Sequence, residues 1–597
     1  MCGIAGLQVV DDAKIPQGAL TILQRRIFHR GPDAQSQFVT GTTGLVVTRL
    51  AIVDLVHGDQ PLLSPDGSAL IANGEIYNSP ELREQFPEYP FQTDSDCEAI
   101  LPLYDAHGLS FADHLRGMYA IALSDARTGE LVLSRDQFGI KPLYFVEGEY
   151  FFAFASEISA LLDAAFAERH LDDGARSELL QLKYVFGSKT IFPHVQRLEP
   201  GETLVVEGGK IRERRSVQAW PPHAKLHSIG KPHSGSEHSH ASLLKQFEKT
   251  IFNSVAVHLR ADAASRLFYS GGIDSTILML AAREVSTSEV PALTIGYEPG
   301  EREDESWDAL RLADGAGVGC ERVEMTRDDF WNLAPRIAAA IDDPMADPAV
   351  LPLYMLGAKT AMQGAKVAIC GEGADEIFGG YRRYQRALLP RFLRFRSARR
   401  GVFSNTSIVT GDAWMRAPDK LEQDQRKLWS SPMQVLQAVD VLERLPNCLL
   451  IKLDRALMAN GVEGRTPFLD REVVRFSADV PDKFKARFGL GKCLLRDWLA
   501  MAFPQASPYA RKKGFNVPLA NWIHARRREL GTKVGAHPGI AQIADPASVQ
   551  QIFERCREFE QPAWSLLFFA LWHSYHILQI DCNGDIISVL SAAAHHK

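Results

Sequence analysis

The chain is poor in the features that mark secreted, zinc-stapled and nucleic-acid-binding proteins. Its eight cysteines are scattered over 597 residues without a C-x-x-C pair, which argues against a disulfide framework and against structural zinc. The first residues hold no basic segment followed by an apolar run, so a secretory leader is not expected. The formal net charge of −7 gives no basic excess for nucleic acid. We therefore expect a reduced, cytoplasmic protein that binds no nucleic acid.

Long apolar runs are missing as well. The most apolar late segment, residues 563–580, contains several polar side chains, which a membrane span would bury at a cost. These side chains are Ser565, His573, Ser574, His576 and Gln579. We predict a packed C-terminal helix here and no membrane partner.

The texture of the sequence changes along the chain. Up to about residue 215, short apolar runs bounded by Gly, Pro, Asn and Asp predict strands joined by turns. Residues 216–242 are rich in Pro, Ser, Gly and His, and we interpret them as a flexible linker rather than a metal site. In 243–597, helical segments first alternate with compact apolar strands and then dominate, which predicts a parallel sheet flanked by helices. The length fits two domains, 2–215 and 243–597.

Cys2 is the first candidate for chemistry. If the initiator methionine is removed, the thiol lies beside a free α-amino group at the start of the chain. An α-amino group titrates near pKa 8 and a thiol near about 8.5, so the amine can accept the thiol proton near neutral pH. The position therefore predicts a nucleophile that carries its own base, with an accidental early cysteine as the alternative.

A phosphate-binding loop is predicted where a short apolar strand ends at Tyr269. The chain continues as Ser270-Gly271-Gly272-Ile273-Asp274-Ser275 and then enters a helical segment. Glycines let the backbone approach an oxyanion closely, and the helix start supplies free N–H groups. The loop lacks the lysine and the spacing of a Walker loop, which argues against a P-loop phosphotransferase.

A second loop, residues 370–381, concentrates carboxylates among glycines after another short strand. Such charges repel one another unless a cation joins them. Since Mg²⁺ binds a few carboxylates together with phosphate oxygens, we predict Asp274 and Asp375 as its ligands, with a tight acidic turn as the alternative. Lys512, in a basic cluster, is predicted to stabilise charge on departing pyrophosphate, with a plain surface patch as the alternative.

Together these segments resemble a glutamine-dependent asparagine synthetase of the class II amidotransferase type, almost end to end. The motifs are MCGIAGL (1–7), HRGPD (29–33), RLAIVDL (49–55), NGEIYN (73–78), SDCEAI (95–100), RDQFGIKPLYF (135–145), YSGGIDS (269–275), CGEGADEIFGGY (370–381) and EGRTPFLD (463–470). The resemblance implies an α+β N-terminal-nucleophile αββα sandwich followed by an α/β ATP-pyrophosphatase domain with a helical C-terminal part. It also implies glutamine, ATP and a carboxylate as substrates and Mg²⁺ as cofactor, and it is compatible with a homodimer.

For the first domain, the resemblance implies glutamine hydrolysis. Cys2 would attack the side-chain amide, and the Asn73 side chain with the Gly74 N–H would form the oxyanion hole. Arg49 would pair with the α-carboxylate of glutamine, and two acids would hold its α-ammonium. These acids are Glu75 and Asp96, and the glutamine-binding set also includes Leu50, Ala51, Ile52 and Val53.

For the second domain, the resemblance implies that a carboxylate is adenylated and that ammonia then displaces AMP. Glu372 would assist the acyl-adenylate chemistry, and Lys512 would neutralise pyrophosphate. The implied ATP-binding residues are Phe268, Ser270, Gly271, Gly272, Asp274, Ser275, Ile295, Cys370 and Gly371. The chain departs from the family at Cys370, where a serine is usual. A shielded channel for ammonia between the two sites is also implied.

Three functions stay open at this stage. The first is glutamine-dependent amidation of aspartate to asparagine, which releases AMP, pyrophosphate and glutamate. The second is the same chemistry on another carboxylate in a specialised pathway, since the acceptor pocket has no readable motif. The third is a bare glutaminase or pseudo-enzyme that binds nucleotide without ligase activity, which the full set of site residues argues against.

Overall fold

The computed structural model describes residues 2–10, 13–217, 220, 239–301, 304–389, 400–487, 489–510 and 517–596. Lys512 and most of the predicted linker lie outside the described residues. The strands are β1 Cys2–Val9, β2 Ala34–Thr40, β3 Thr43–Arg49, β4 Leu62–Leu63, β5 Ala69–Ile76, β6 Gly117–Ser124, β7 Leu131–Arg135, β8 Tyr144–Glu147, β9 Phe151–Ala155, β10 Gln196–Arg197, β11 Glu202–Glu207, β12 Lys210–Ser216, β13 Ser265–Phe268, β14 Ala292–Tyr297, β15 Cys320–Met325, β16 Val367–Ile369, β17 Glu463–Arg465, β18 Ala486–Arg487 and β19 Leu490–Gly491.

The α-helices fall into two groups. Before the linker they are α1 Ala19–Ile27, α2 Ser79–Gln85, α3 Ile100–His107, α4 Ile158–Asp163 and α5 Asp173–Leu182. After it they are α6 His240–His258, α7 Ile273–Val285, α8 Ser306–Gly315, α9 Arg327–Ala340, α10 Val350–Met362, α11 Ala374–Phe378, α12 Arg382–Ala387, α13 Arg416–Leu428, α14 Pro432–Val439, α15 Ile451–Met458, α16 Arg471–Asp479, α17 Asp482–Lys485, α18 Cys493–Ala502, α19 Leu519–Ala525, α20 Arg527–Gly535, α21 Pro538–Ala541, α22 Pro546–Glu554, α23 Glu560–His576 and α24 Ile586–Ala594.

Residues 2–216 form a four-layered sandwich. Among the described residues, two six-stranded antiparallel sheets have the orders β10-β8-β9-β1-β3-β2 and β12-β11-β7-β6-β5-β4. Alternate side chains of both sheets, such as Ile4 and Ile71, meet in one core between the sheets. The opposite face of β1 packs against α1, and the outer face of β5 packs against α3. Because both faces of these strands are covered, β1, β3 and β5 are largely apolar and buried at every position. The αββα prediction is confirmed.

The second half contains a parallel five-stranded sheet, in the order β15-β14-β13-β16-β17. β13 lies in its centre, with β14 on one side and β16 on the other. The chain therefore leaves β13 and β16 in opposite directions, and the carboxyl ends of these two strands border a crevice. Such a topological switch point is the usual place for a ligand in an open α/β sheet. The α/β prediction with a helical C-terminal part is confirmed.

Two strands of this sheet differ from the sequence prediction. β15 forms an edge next to β14 and was not among the predicted strands, and β17 lies in a region where helices were expected to dominate. β17 has only three residues, and two of them are charged, so it carries no apolar pattern. Its Glu463 and Arg465 are fully buried and paired with each other. Because this strand buries an ion pair instead of apolar side chains, it lacks the apolar pattern on which a strand prediction depends.

Two helical segments complete the frame. Residues 440–450 form a π-helical segment that continues without a break into α15. α23 is buried on nearly all sides, which agrees with the packed C-terminal helix expected at 563–580. In the described part of the chain, no helix is both long and apolar enough to cross a membrane.

Candidate active sites

The first site is built around Cys2 at the start of β1. The residue is 4% exposed and lies opposite Arg49 in the antiparallel ladder with β3. Its backbone nitrogen donates to the Asn73 side-chain oxygen at 3.2 Å. Gln60 reaches its sulfur with Nε2 at 3.9 Å, and the Gln60 amide is itself held by two bonds to the backbone of Ala72. The strand ladder and these amides fix both the thiol and the nitrogen that would become the terminal amine.

Asn73 and Gly74 lie in β5, directly beside the thiol. The Asn73 Nδ2 atom is buried and has no hydrogen-bond partner among the described residues. Leaving a buried donor unpaired costs about 1–3 kcal/mol, so such a group points to a ligand acceptor. A Cβ atom at Gly74 would overlap the Met118 carbonyl, so the position requires glycine. The arrangement matches an oxyanion hole that is ready before the substrate arrives.

The electrostatics of the thiol favour its protonated form. Burial raises the pKa of Cys2, while a backbone hydrogen bond from Leu50 and the charge of Arg49 lower it in part. A neutral thiol needs a base to become a nucleophile. Among the described residues, no histidine contacts Cys2. The candidate base is therefore the backbone nitrogen of Cys2 itself, which would become the terminal amine.

Arg49 is held in a loop of backbone oxygens. It donates to the carbonyl oxygens of Val53, at 3.3 Å, and Asp54, and it pairs with Asp59 at 2.8 Å. The Asp59 side chain is 67% exposed, so a free carboxylate could replace it on the guanidinium. The neighbouring Leu50, Ala51 and Ile52 are buried, and Val53 is partly buried. These residues follow Arg49 directly, and their contact with glutamine stays a prediction.

Glu75 and Asp96 supply two carboxyl groups at the end of β5, beside Ile76. Burial raises the pKa of Glu75 well above its usual range, although Arg465 acts against this. Burial also raises the pKa of Asp96, whose carboxylate accepts the Ile76 N–H at 2.5 Å. Two desolvated carboxyl groups gain from a cationic partner, which is what a substrate α-ammonium would provide.

Arg465 joins this pocket to the second half of the chain, a role that was not predicted from the sequence. Its guanidinium lies 3.1 Å from Glu75 and donates to the carbonyls of His258 and Arg260 at 2.7 and 2.8 Å. Its own carbonyl accepts the Cys370 N–H at 2.8 Å. One buried residue therefore contacts both the glutamine pocket and the strand end of the second site.

The second site lies at the switch point of the parallel sheet. Gly271 has φ 70°, a left-handed conformation that favours glycine, and it leads into the first turn of α7. A Cβ at Gly371 would lie 3.3 Å from the Asp274 side chain, so the two predicted loops are in contact. Phe268, Ile295 and Cys370 are buried at the ends or middle of the adjacent strands. The predicted ATP-binding residues are thus brought to one crevice.

Lys492 occupies the centre of the acidic group and was missed by the sequence prediction. Its Nζ atom lies 2.6 Å from both Asp274 Oδ2 and Asp375 Oδ1. The side chain is 3% exposed, and the pKa of Lys492 is raised by its two acids in spite of burial. Lys492 directly precedes α18 and has φ 56°. It belongs to none of the motifs identified in the sequence, so it was not predicted as a site residue.

The carboxylates fit a divalent cation. Asp274 Oδ1 is buried without a hydrogen-bond partner in the described part of the chain, and Asp375 lies on the other side of the same ammonium. Two converging carboxylates with an unsatisfied oxygen form the kind of donor set that Mg²⁺ shares with phosphate oxygens. Asp274 and Asp375 are the residues that would hold it.

Glu372 follows Gly371, whose position borders the Asp274 side chain, and Glu372 is partly buried. Burial raises the pKa of its carboxyl group, and the charge of Lys452 opposes that rise. Lys512, the lysine predicted to face pyrophosphate, lies outside the described residues, so its place in the site stays a prediction.

Comparison with known proteins supports the two-site division. Residues 1–217 match the glutamine amidotransferase domain family, and residues 246–574 match the asparagine synthase family. The chain belongs to the glutamine-hydrolysing asparagine synthetase family. It is therefore a glutamine-dependent amidotransferase of the asparagine synthase type, and the family implies use of ATP. This confirms the resemblance inferred from the motifs.

Three relatives illustrate the range of the family. A Bacillus subtilis glutamine-hydrolysing asparagine synthetase is 30% identical, with 97% of each chain covered. The nodule asparagine synthetase of Pisum sativum is 28% identical over 81% of this chain and 71% of that protein. The amidase chyE of Penicillium rubens is 26% identical over 88% of this chain and 87% of that protein.

Proposed function

We propose that the protein converts aspartate to asparagine, with glutamine as nitrogen donor and ATP as activating substrate. The observation that supports this most strongly is the pairing, in one chain, of a closed thiol site and an acidic strand-end crevice joined by Arg465. Similarity to the Bacillus subtilis synthetase over 97% of both chains supports aspartate as the acceptor. The proposed domains are those expected from the sequence, 2–215 for the glutaminase and 243–597 for the ligase.

In the first half-reaction, Cys2 Sγ attacks the side-chain amide carbon of glutamine after loss of the initiator methionine. The α-amine of Cys2 takes the thiol proton and returns it to the departing nitrogen, which leaves as ammonia. Asn73 Nδ2 and the Gly74 N–H stabilise the oxyanion that forms on the carbonyl oxygen. Water then cleaves the thioester and releases glutamate, so the thiol is regenerated.

In the second half-reaction, a carboxylate oxygen of the acceptor attacks the α-phosphorus of ATP, and the bond to the β-phosphate breaks. Activation is needed because a carboxylate is a poor electrophile. Ammonia then attacks the acyl carbon, AMP leaves, and Glu372 accepts a proton from the incoming amine. The loop 270–275 holds the phosphates, Lys492 and Lys512 offset their charge, and Mg²⁺ on Asp274 and Asp375 would supply further charge neutralisation.

A second candidate is the same chemistry on a different carboxylate. The similarity to a protein named as an amidase, over 88% of this chain, favours keeping it. The glutaminase half and the adenylating crevice would be unchanged, and only the acceptor would differ.

A substrate panel tests the proposal. The full chain is incubated with ATP, Mg²⁺ and glutamine and one acid at a time, and pyrophosphate and amide product are measured together. We expect pyrophosphate with aspartate and one asparagine formed for each pyrophosphate. Pyrophosphate with another acid and none with aspartate would instead establish the second candidate. Absence of pyrophosphate with every acid, while glutamine is still hydrolysed, would reduce the protein to a glutaminase.

A further inference from the structure

A line of three side chains runs along the helical segment that follows α14. Arg444, Cys448 and Lys452 are spaced four residues apart in the continuous run of π-helix 440–450 and α15. Residues four apart lie on the same side of a helix. π-Helical turns are rare and are frequently found at functional sites. The segment therefore presents two cationic groups, with a small thiol between them, along one side.

Lys452 forms a hydrogen bond with a single carboxylate among the described residues. Its Nζ atom lies 3.1 Å from Asp347 Oδ2, and this is the one hydrogen bond that it makes to the described residues. The lysine side chain is 8% exposed and that of Asp347 is 20% exposed. An ammonium group has three donors, so this nearly buried group retains donors for a ligand. Asp347 Oδ1 accepts the Ala349 N–H at 3.1 Å, which fixes the carboxylate in place.

Arg444 adds positive charge; burial lowers its pKa, but nearby groups, Tyr381, Asp440 and Glu376 among them, raise it overall. Its guanidinium lies over the Tyr381 ring, 5.0 Å from the centroid, and pairs with no carboxylate in the described parts of the chain. The side chain is partly buried. A guanidinium held by an aromatic face, with its five N–H donors available, is well suited to bind a carboxylate.

This charged group borders the adenylating crevice. Burial raises the pKa of Glu372, the charge of Lys452 lowers it, and the charge of Asp347 raises it. Tyr381, which carries Arg444, donates to Glu376 at 2.5 Å, and Glu376 follows Asp375 at the start of α11. The line from Arg444 to Lys452 thus lies beside the loop 370–381.

We propose that Lys452, Arg444 and Asp347 bind the non-reacting end of the acceptor. Lys452 and Arg444 bind a second carboxylate, and Asp347 binds an ammonium group. The acceptor is therefore an acidic amino acid, which offers one carboxylate for adenylation and a zwitterionic head group for recognition. This inference rests on the proposed function and assigns the residues that select its substrate. The glutamine pocket uses the same arrangement, with Arg49 opposite Glu75 and Asp96.

The test measures acceptor binding separately from the other substrates. Pyrophosphate release is followed with ammonium as nitrogen donor while the aspartate concentration is varied, and glutamine hydrolysis is assayed on its own. In Lys452→Met we expect the KM for aspartate to rise tenfold or more, while the KM for ATP and the rate of glutamine hydrolysis change less than about threefold. The matched control is Lys359→Met, which removes a lysine of α10 that pairs with Glu321 of β15. This variant should leave both KM values and the rate of glutamine hydrolysis unchanged.

A second variant keeps the proposal open to refutation if Lys452→Met does not fold. In Asp347→Asn, aspartate should lose its advantage over succinate, which lacks the amino group, when the two are compared as ligands competing for the acceptor site. An unchanged ratio of aspartate to succinate binding would overturn the assignment of Asp347. A lowered unfolding temperature with an unchanged KM for aspartate would show that Lys452 and Asp347 form a purely structural pair.

The two proposals can fail separately. If the substrate panel identifies an acceptor other than aspartate, the proposed function fails, and the same variants are then assayed with that acceptor. A tenfold rise in its KM in Lys452→Met supports the binding role of the lysine. An unchanged KM for the true acceptor overturns it.

Discussion

The two sites of this protein differ in how completely they are assembled before substrates bind. In the glutamine pocket, Cys2 is 4% exposed and Asn73 is fully buried, and strand ladders on both sides fix their positions. In the adenylating crevice, Ser270 is exposed and Gly271, Glu372 and Asp375 are only partly buried. The first site rests on the centres of two sheets, and the second rests on loops at strand ends.

This difference agrees with the chemistry that we propose for each site. Glutamine hydrolysis needs one thiol and one oxyanion hole held in place, and a closed pocket strengthens their electrostatic effect. ATP is a large polyanion that must enter with its cation and leave in two parts, so its site has to open to solvent. In this second site, the Lys492 ammonium lies between Asp274 and Asp375, the two acids that we assign to Mg²⁺.

The largest expected effect separates the two sites. In Cys2→Ala, glutamine-dependent amide synthesis should fall by at least about 10³-fold, because the nucleophile is lost. Ammonia-dependent synthesis should persist, since the second site needs only the nitrogen. Parallel assays with glutamine and with ammonium check this. The matched control is Cys97→Ala, a second buried thiol next to Asp96, which should retain glutamine use; loss of both activities in Cys2→Ala would contradict independent sites.

Asp375→Asn should impair the second site and spare the first. In Asp375→Asn, pyrophosphate release should fall by about 100-fold or more, because one of two carboxylates that hold the cation is neutralised. Glutamine hydrolysis should stay within a few-fold of the wild type, as measured by glutamate release. Asp308→Asn, on the exposed face of α8, serves as the control. Normal pyrophosphate release in Asp375→Asn would remove the residue from the metal assignment.

Arg465→Lys tests the link between the sites. Lysine keeps the charge but cannot contact Glu463, Glu75 and two carbonyls together, so Glu75 loses its fixed position. We expect the KM for glutamine to rise about tenfold and the free energy of unfolding to fall by on the order of 2–4 kcal/mol. Steady-state kinetics and denaturant unfolding measure the two effects.

The control for this prediction is a second arginine that crosses between the halves of the chain. Arg471 donates to the carbonyls of Asp113 and Leu115 at 3.3 and 2.9 Å. Arg471→Lys should leave the KM for glutamine unchanged. An equal rise in both variants would mean that the effect comes from general loosening of the interface rather than from Glu75.

The same contrast explains how far the sequence could predict the molecule. The strand-rich first half, the parallel sheet with its Gly-Gly loop, and the candidates Cys2 and Asp274 were predictable, because each is signalled within a short stretch of sequence. The αββα sandwich and Asn73 were expected only from the family resemblance. Arg465 and Lys492 were not predicted, because Glu75 and Asp274 lie hundreds of residues from them in the sequence and these contacts form only on folding. β17 was missed for a different reason, since its buried charges, Glu463 and Arg465, replace an apolar pattern.

The smallest expected effect concerns the contact between the halves of the chain at Glu443. This acid accepts the Gly187 N–H at 3.0 Å and an amide hydrogen of Asn447 at 3.1 Å. Burial raises the pKa of Glu443 from 4.5 to about 7. The folded protein therefore keeps this proton at pH values where the unfolded chain has lost it. The stabilisation is complete below pH 4.5 and is lost as the pH rises through 7.

Glu443→Gln should remove this dependence, because the amide oxygen can still accept both bonds and never ionises. Relative to the wild type, we expect the variant to gain on the order of 2 kcal/mol more at pH 8 than at pH 5. Denaturant unfolding at both pH values measures the difference. Glu376, whose pKa is also raised to about 7 by burial, remains in both proteins and cancels in the comparison. Glu558→Gln, at an exposed pair with Arg555, serves as the control and should show no such gain. An equal gain at pH 5 and pH 8 in Glu443→Gln would show that Glu443 ionises normally at this contact.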